Sequence, residues 1–201
     1  MEQDQIVVRN ARSTEYDSIG QLLVRVYSEL EGFPGESEQP DYYRMLRCVG
    51  DLMNKPKVEI FVATTTESKI IGATVFFGDM RYYGSEGTAT LETNSGGFRL
   101  LAVDPDYQRK GIGKLLTELC IKRATVKKLD QVIIHTTMAM LSAWKMYENL
   151  GFRRSENLDF IQGELPVFGF RLKIEHRLKG LLNDNEPFPG WRETGLDMKQ
   201  G

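Results

Sequence analysis

Between Phe98 and Thr136 the chain runs through an apolar strand, a glycine-opened helix and a second apolar strand, and few folds accept that order. Phe98 to Val103 is an apolar run that Pro105 ends. Gly111 to Lys127 carries Ile112, Leu115, Leu116 and Leu119 at helical spacing, and Gln131 to Thr136 is apolar again. A unit of this kind is a crossover. Its two strands are therefore expected to be parallel neighbours with a right-handed connection, inside a sheet covered on both faces.

The flanking segments extend that frame. Ile6 to Arg9 reads as a first strand, and Thr14 as the N-cap of a helix whose apolar side is Ile19, Leu22, Leu23, Val26 and Leu30. Asp41 to Met53 reads as a second helix. Glu59 to Thr65 and Ile70 to Phe77 are β-branched and aromatic runs joined by a polar hairpin turn. Gly78 to Gly97 is a long connection, with some strand expected around Ala89 to Glu92. A helix from Met140 or Leu141 to Asn149 and strands near Phe152 to Ser155 and Phe168 to Ile174 complete the order. The expected fold class is α/β (α+β): one domain over residues 1–177, a mixed twisted sheet with helices on both faces. Residues 178–201 change to a Pro- and Asn-rich character and read as an extension in which Trp191 offers an anchor.

A chain of 201 residues is long enough for a full core. Its 26 basic and 28 acidic residues leave a formal charge of −2, so bulk charge draws it to neither nucleic acid nor an anionic membrane. No stretch is apolar for the length of a membrane span, and the acidic start MEQDQ is unlike a signal peptide. Cys48 and Cys120 lack metal-ligand spacing, and no metal site is expected. Reduced, buried thiols and a cytoplasmic location are the expectation.

Chemistry concentrates where the first strand of the crossover meets its helix. There the chain reads Arg99-Leu100-Leu101-Ala102-Val103-Asp104-Pro105, then Gln108-Arg109-Lys110-Gly111-Ile112-Gly113-Lys114. The first turn of a helix presents N–H groups without partners, and the helix dipole favours negative charge there. Gly111 and Gly113 leave room for a phosphate against the backbone, while Arg109, Lys110 and Lys114 add positive charge. Two other glycine motifs are excluded: a P-loop needs glycine where Gln108 stands, and a dinucleotide fingerprint needs it where Leu116 stands.

This pattern closely resembles the signature of the GNAT superfamily of N-acetyltransferases. Downstream, Ala143-Trp-Lys-Met-Tyr147-Glu-Asn-Leu-Gly151-Phe152 resembles that superfamily's second cofactor motif. The resemblance is specific over Phe98 to Phe152. It implies acetyl-CoA as cosubstrate, with backbone N–H groups of Gln108, Arg109, Lys110, Gly111, Ile112 and Gly113 on the pyrophosphate and Lys114 close by. The edge of the strand at Leu101, Ala102 and Val103 would pair with the pantetheine arm, and the two strands would splay to admit it. Tyr147 would serve the leaving sulfur. The implied reaction is direct acetyl transfer to a primary amine of a small molecule or peptide in a ternary complex. Dimerisation is common in such proteins, so a homodimer is an expected partner state.

Two positions depart from the family pattern. Met140 stands where many members have asparagine, and Gly97 stands where many have a glutamate base. Glu92 and His135 are the nearest replacements for that base, although Glu92 also reads as a solvated loop residue and His135 as part of an apolar strand. The missing acid supports a rival reading, a non-catalytic acyl-CoA-binding or sensing module; a longer acyl group is a second alternative. The acceptor is expected between Gly32 to Asp41 and Gly78 to Gly97, where Glu31, Glu36, Glu38 and Asp41 would draw an ammonium group unless they are merely solvated.

Overall fold

The structure is a computed structural model in which residues 6–174 are described. The expected extension from residue 178, with Trp191, lies outside the described residues. In chain order the elements are β1 (Val7–Asn10), α1 (Tyr16–Ser28), α2 (Pro40–Arg47), β2 (Val58–Thr64) and β3 (Ile70–Phe77). They continue with β4 (Ser95–Val103), α3 (Ile112–Val126), β5 (Gln131–Thr136), α4 (Leu141–Asn149), β6 (Arg153–Arg154), β7 (Phe160–Gln162) and β8 (Leu165–Lys173). The strands form one mixed sheet in the order β1-β2-β3-β4-β5-β8-β6, with β7 paired to β8. Neighbours are antiparallel except β4 and β5, which are parallel, as the crossover requires.

Alternation along the strands divides the core in two. On one face Ile60, Val62, Ala73, Val75 and Phe77 pack with Ile19, Leu23, Tyr43 and Leu46 of α1 and α2. On the other, Phe61, Ala63 and Phe76 pack with Ile112, Leu116 and Cys120 of α3 and Tyr147 of α4. Each strand thus presents apolar side chains to both layers, which is why β2 and β3 read as unbroken apolar runs. Arg123 near the end of α3 donates to Glu59 of β2 at 2.7 Å, and Lys127 lies 3.2 Å from the same carboxylate. These contacts fix the far end of the helix whose first turn matters below.

Several local expectations are corrected. Thr14 does not cap α1: a 3-10 turn over Ser13–Glu15 precedes the helix, and Glu15 takes the Arg12 N–H at 2.7 Å. The longer Glu15 side chain also reaches Arg9 at 2.6 Å, a charged partner that Thr14 could not engage. The second helix ends at Arg47 and continues as a 3-10 stretch over Val49–Asn54. Ala89–Leu91 is a 3-10 turn, not strand. Cys48 and Cys120 are both free thiols, but Cys48 is exposed.

Candidate active site

β4 is regular only at its start. It pairs with β5 at Ser95, Gly96 and Gly97, and there the pairing stops, although β5 runs on beside β8 to Thr136. From Phe98 onward β4 therefore has no strand partner on its β5-facing edge among the described residues, and the Phe98 carbonyl accepts instead from the Tyr83 hydroxyl at 3.4 Å. On its other side β4 keeps its bonds to β3 but bulges: Leu100 and Leu101 together stand opposite Thr74. Leu100 takes φ 58, and the Thr74 hydroxyl donates to the Arg99 carbonyl at 3.1 Å. A bulge bends its strand and adds twist, which explains why β4 leaves β5 here. The expected splay is present, and Leu101, Ala102 and Val103 lie along the open edge.

The chain then turns at Pro105–Tyr107 and enters α3 through two left-handed residues, Arg109 (φ 60) and Gly111 (φ 80). Alternating handedness of this kind turns successive N–H groups inward to form an anion cradle. The N–H groups of Arg109, Lys110 and Gly111 have no backbone acceptor among the described residues, and those of Ile112, Gly113 and Lys114 belong to the first turn of α3. Gly111, with its positive φ, borders open space. Arg109 and Lys110 are exposed, Lys110 lying 4.6 Å from the Tyr107 ring, and Lys114 pairs with Glu118 at 3.3 Å. Arg109, Lys110, Gly111, Gly113 and Lys114 thus lie together at the end of the open edge, with the Ile112 side chain buried beneath them, whereas the Gln108 N–H expected on the pyrophosphate donates to the Pro105 carbonyl at 3.4 Å. The chemistry of this turn fits a pyrophosphate.

Tyr147 lies under the same edge. It is 5% exposed and its ring meets Phe98 and Phe152 edge-on, with centroids 5.9 and 5.7 Å away. Burial raises its pKa well above the usual phenol value. Its hydroxyl makes no hydrogen bond with the described residues.

Gly97 explains the absent acid. A Cβ there would stand 2.7 Å from the Ile133 carbonyl and 2.8 Å from a ring carbon of Tyr83. The Tyr83 ring occupies the space where a residue-97 side chain would project. His135 lies within 3.2 Å of the Tyr83 hydroxyl through Nδ1, and within 2.9 Å of the Leu158 carbonyl through Nε2. A carbonyl can only accept, so Nε2 carries the proton. The Tyr83 hydroxyl also lies 3.4 Å from the Phe98 carbonyl, so its single proton is shared between that oxygen and Nδ1. Burial lowers the His135 pKa to about 4, so the ring is neutral near pH 7. Glu92 is placed elsewhere. It lies before the start of β4, accepts from Arg171 at 2.6 Å and from Gln131 at 3.1 Å, and its pKa is lowered, chiefly by the Arg171 hydrogen bond. Its carboxylate is thus held at the end of β4 where the strand begins, at Ser95, five residues before Leu100 of the bulge. Cys120 is fully buried with its pKa pushed up by burial, an environment that disfavours a nucleophilic thiolate.

On the α1/α2 face a cavity of about 1060 Å³ opens between three walls. Phe33 to Tyr42 form one, Gly84 to Glu86 the second and the Gln162 to Leu165 turn the third, with Arg99 among them. Gln162 donates to Gln39 at 2.7 Å, tying the third wall to the first. The acidic loop is partly neutralised: Glu36 is bound by Arg47, Asp41 by Arg44, and Glu38 takes the Gly35 N–H at 2.7 Å. Arg99 and Tyr83 were not singled out in the sequence. A lone charge in an apolar strand signals the first; two adjacent glycines in that strand, which must have something packed on them, signal the second.

The profile of the acetyltransferase (GNAT) family matches residues 21–152. N-alpha-acetyltransferase 30 of Xenopus laevis is 44% identical over 59 residues, 29% of this chain and 22% of that protein. The chain thus matches about a fifth of the length of this curated relative. A GNAT acetyltransferase structure from Staphylococcus aureus superposes with a TM-score of 0.65 at 17% identity, covering 85% of this chain and 99% of that one. A Salmonella typhimurium protein solved with its cofactor acetyl-CoA superposes at 0.60 with 13% identity, covering 86% and 96%; at such identities the likeness is one of fold. With the profile spanning the bulged strand, the cradle and Tyr147, the chain belongs to the acetyltransferase (GNAT) family, whose acyl donor is acetyl-CoA.

Proposed function

We propose that this protein transfers acetyl from acetyl-CoA directly to a primary amine of a small molecule or peptide, in a ternary complex in a reducing, cytoplasmic setting. One observation carries the reading. The gap where β4 leaves β5 has the phosphate cradle at one end, and a cavity lined by Arg99 of the same strand opens on the α1/α2 face. A donor lying in the gap and an acceptor in the cavity would meet at the bulge. The N–H groups of the open edge would donate to the carbonyl oxygen as charge develops on it. The name N-alpha-acetyltransferase, borne by a relative, favours an α-amine as acceptor.

Tyr147 would act on the sulfur as a hydrogen-bond donor that keeps its proton. Burial holds the phenolic proton more tightly than in water, so donation without transfer is the lower-energy course. The amine's own proton leaves through water or is never present, since roughly 0.04% of a lysine-like alkylamine and about 10% of a peptide α-amine is neutral at pH 7. The Tyr83 ring, whose hydroxyl is bonded to His135, stands against the site of the missing acid and supports that path by keeping a neutral, hydrogen-bonded wall there.

The test is release of free thiol from acetyl-CoA in the presence of amino acids, N-terminal peptides, polyamines and aminoglycosides. Amine-dependent release supports the reading. Tight acetyl-CoA binding without release for any amine would make the protein a binding module, and release only from longer acyl-CoA donors would change the acyl group.

A further inference from the structure

We propose that Arg99 is a carboxylate receptor, so that the acceptor is a free α-amino acid or a similar small amine with a carboxylate beside the reacting nitrogen. This rests on the acetyl-transfer reading above.

Arg99 follows Phe98 in β4, where the strand has just left β5. It lines the cavity, while its neighbour Leu100 packs in the α1/α2 core. A regular strand would turn consecutive side chains to opposite faces. The bulge sends both toward this side and so delivers a cation to the cavity lining.

Among the described residues no carboxylate pairs with that cation. Nη1 donates to the Tyr83 carbonyl at 2.8 Å and to the Gly84 carbonyl, and the guanidinium lies 5.5 Å from the Tyr83 ring. These partners are neutral. Guanidinium carries five N–H donors, so about three, on Nε and Nη2, are left without a partner among the described residues. The other described arginines that are not fully exposed, Arg9, Arg123, Arg154 and Arg171, each meet a carboxylate. Arg99 does not. A half-buried guanidinium held rigid by two carbonyls, with its Nε/Nη2 edge free, matches a planar carboxylate. Ser85, on the same wall, adds a buried hydroxyl without a hydrogen-bond partner among the described residues.

The cavity's charges differ in exposure. Glu38, Glu86 and Glu164 of its lining are exposed, as is Asp41, which Arg44 engages. Arg99 is the half-buried charge. A simple polyamine would find a cation where its reacting end must go. An α-amino acid carries carboxylate and amine on one carbon. Docking the carboxylate on Arg99 brings the amine to the open edge of β4 in the same step. A peptide N-terminus offers an amide at that position and leaves Arg99 unmatched.

The experiment uses matched pairs: each common L-amino acid and its carboxamide, assayed by thiol release from acetyl-CoA with wild type, Arg99→Met and Arg99→Lys. Wild type should prefer the acid over its amide at least tenfold in kcat/KM for its best side chain. Arg99→Met should lower kcat/KM for that acid about 10- to 100-fold. It should leave the amide within about twofold. Arg99→Lys, which keeps charge but not the fork, should fall between. If Arg99→Met does not fold, the Lys variant and the wild-type acid-to-amide ratio still decide. Equal loss for acid and amide would make Arg99 a clasp for the 83–84 turn and overturn the proposal. A wild type that prefers amides, dipeptides or polyamines would overturn it while sparing acetyl transfer. No release with any amine, in protein that binds acetyl-CoA, would overturn the parent reading and this one together.

Discussion

Replacing His135 with Gln should flatten the protein's acid sensitivity. The imidazole is held neutral between the Tyr83 hydroxyl and the Leu158 carbonyl, and burial lowers its pKa from 6.5 to about 4. The Arg99 charge pushes the same way; the Leu158 hydrogen bond and Asp159 oppose it. In the unfolded chain the ring titrates near its ordinary value. Between pH 6.5 and 4 the unfolded state therefore binds a proton that the folded state refuses. Stability from this group is complete above the unfolded pKa and is lost as pH falls through the interval. A gap of that size, at 1.36 kcal/mol per unit, amounts to about 3 kcal/mol. Gln cannot titrate, yet its amide can still donate toward Leu158 and accept from Tyr83. Urea midpoints at pH 7, 6, 5 and 4.5 should fall steeply in wild type and less steeply in His135→Gln. The chain's second histidine, His176, is present in both proteins and cancels in the comparison. Identical pH slopes, or an NMR titration of His135 near 6.5, would refute the argument.

Tyr147→Phe should lower turnover about 100-fold and leave acetyl-CoA affinity nearly unchanged, because the hydroxyl serves a charge that exists only during reaction; steady-state kinetics with calorimetry checks both. Gly97→Ala should cost about 1–3 kcal/mol in urea unfolding, since its Cβ would meet the Ile133 carbonyl and Tyr83 ring at under 3 Å. Glu38→Lys should raise KM for a cationic acceptor roughly two- to fourfold at low salt and much less at 0.5 M, because Glu38 is exposed and its field is screened.

The cofactor half of the site was legible in the sequence because backbone makes it. A left-handed glycine, a helix first turn and a strand that must run parallel to β5 all leave local marks, so Gly111, Ile112 and Leu116 predict their own placement. The acceptor half is assembled from segments far apart in the chain. Gln39 and Gln162 meet across the cavity, and no local pattern announces that hydrogen bond. Glu92 reads as a free loop carboxylate by residue number, but Arg171 from β8 claims it, and no local pattern announces that pair. The acidic loop looked unopposed until α2 folded back with Arg47 on Glu36; Arg44, one turn after Asp41, was the readable half of that neutralisation. The 3-residue β7 is too short to show a period. His135 was readable as an apolar-strand residue, but its bond to Tyr83 depends on a packing of the long 78–97 connection that composition does not fix.

The most direct test of the account is acetyl-CoA affinity at Gly113. A Cβ there meets only ordinary contacts within the protein, Met146 Sδ at 3.6 Å and Val103 Cγ2 at 3.8 Å. Any penalty should therefore fall on the phosphate that approaches this turn. Titration calorimetry on folded Gly113→Val should show acetyl-CoA binding weakened at least tenfold, or about 1.4 kcal/mol. Wild-type affinity in the folded variant would contradict the placement of the pyrophosphate in the 109–113 cradle, and with it the alignment of cradle, strand gap and cavity on which the proposed reaction rests.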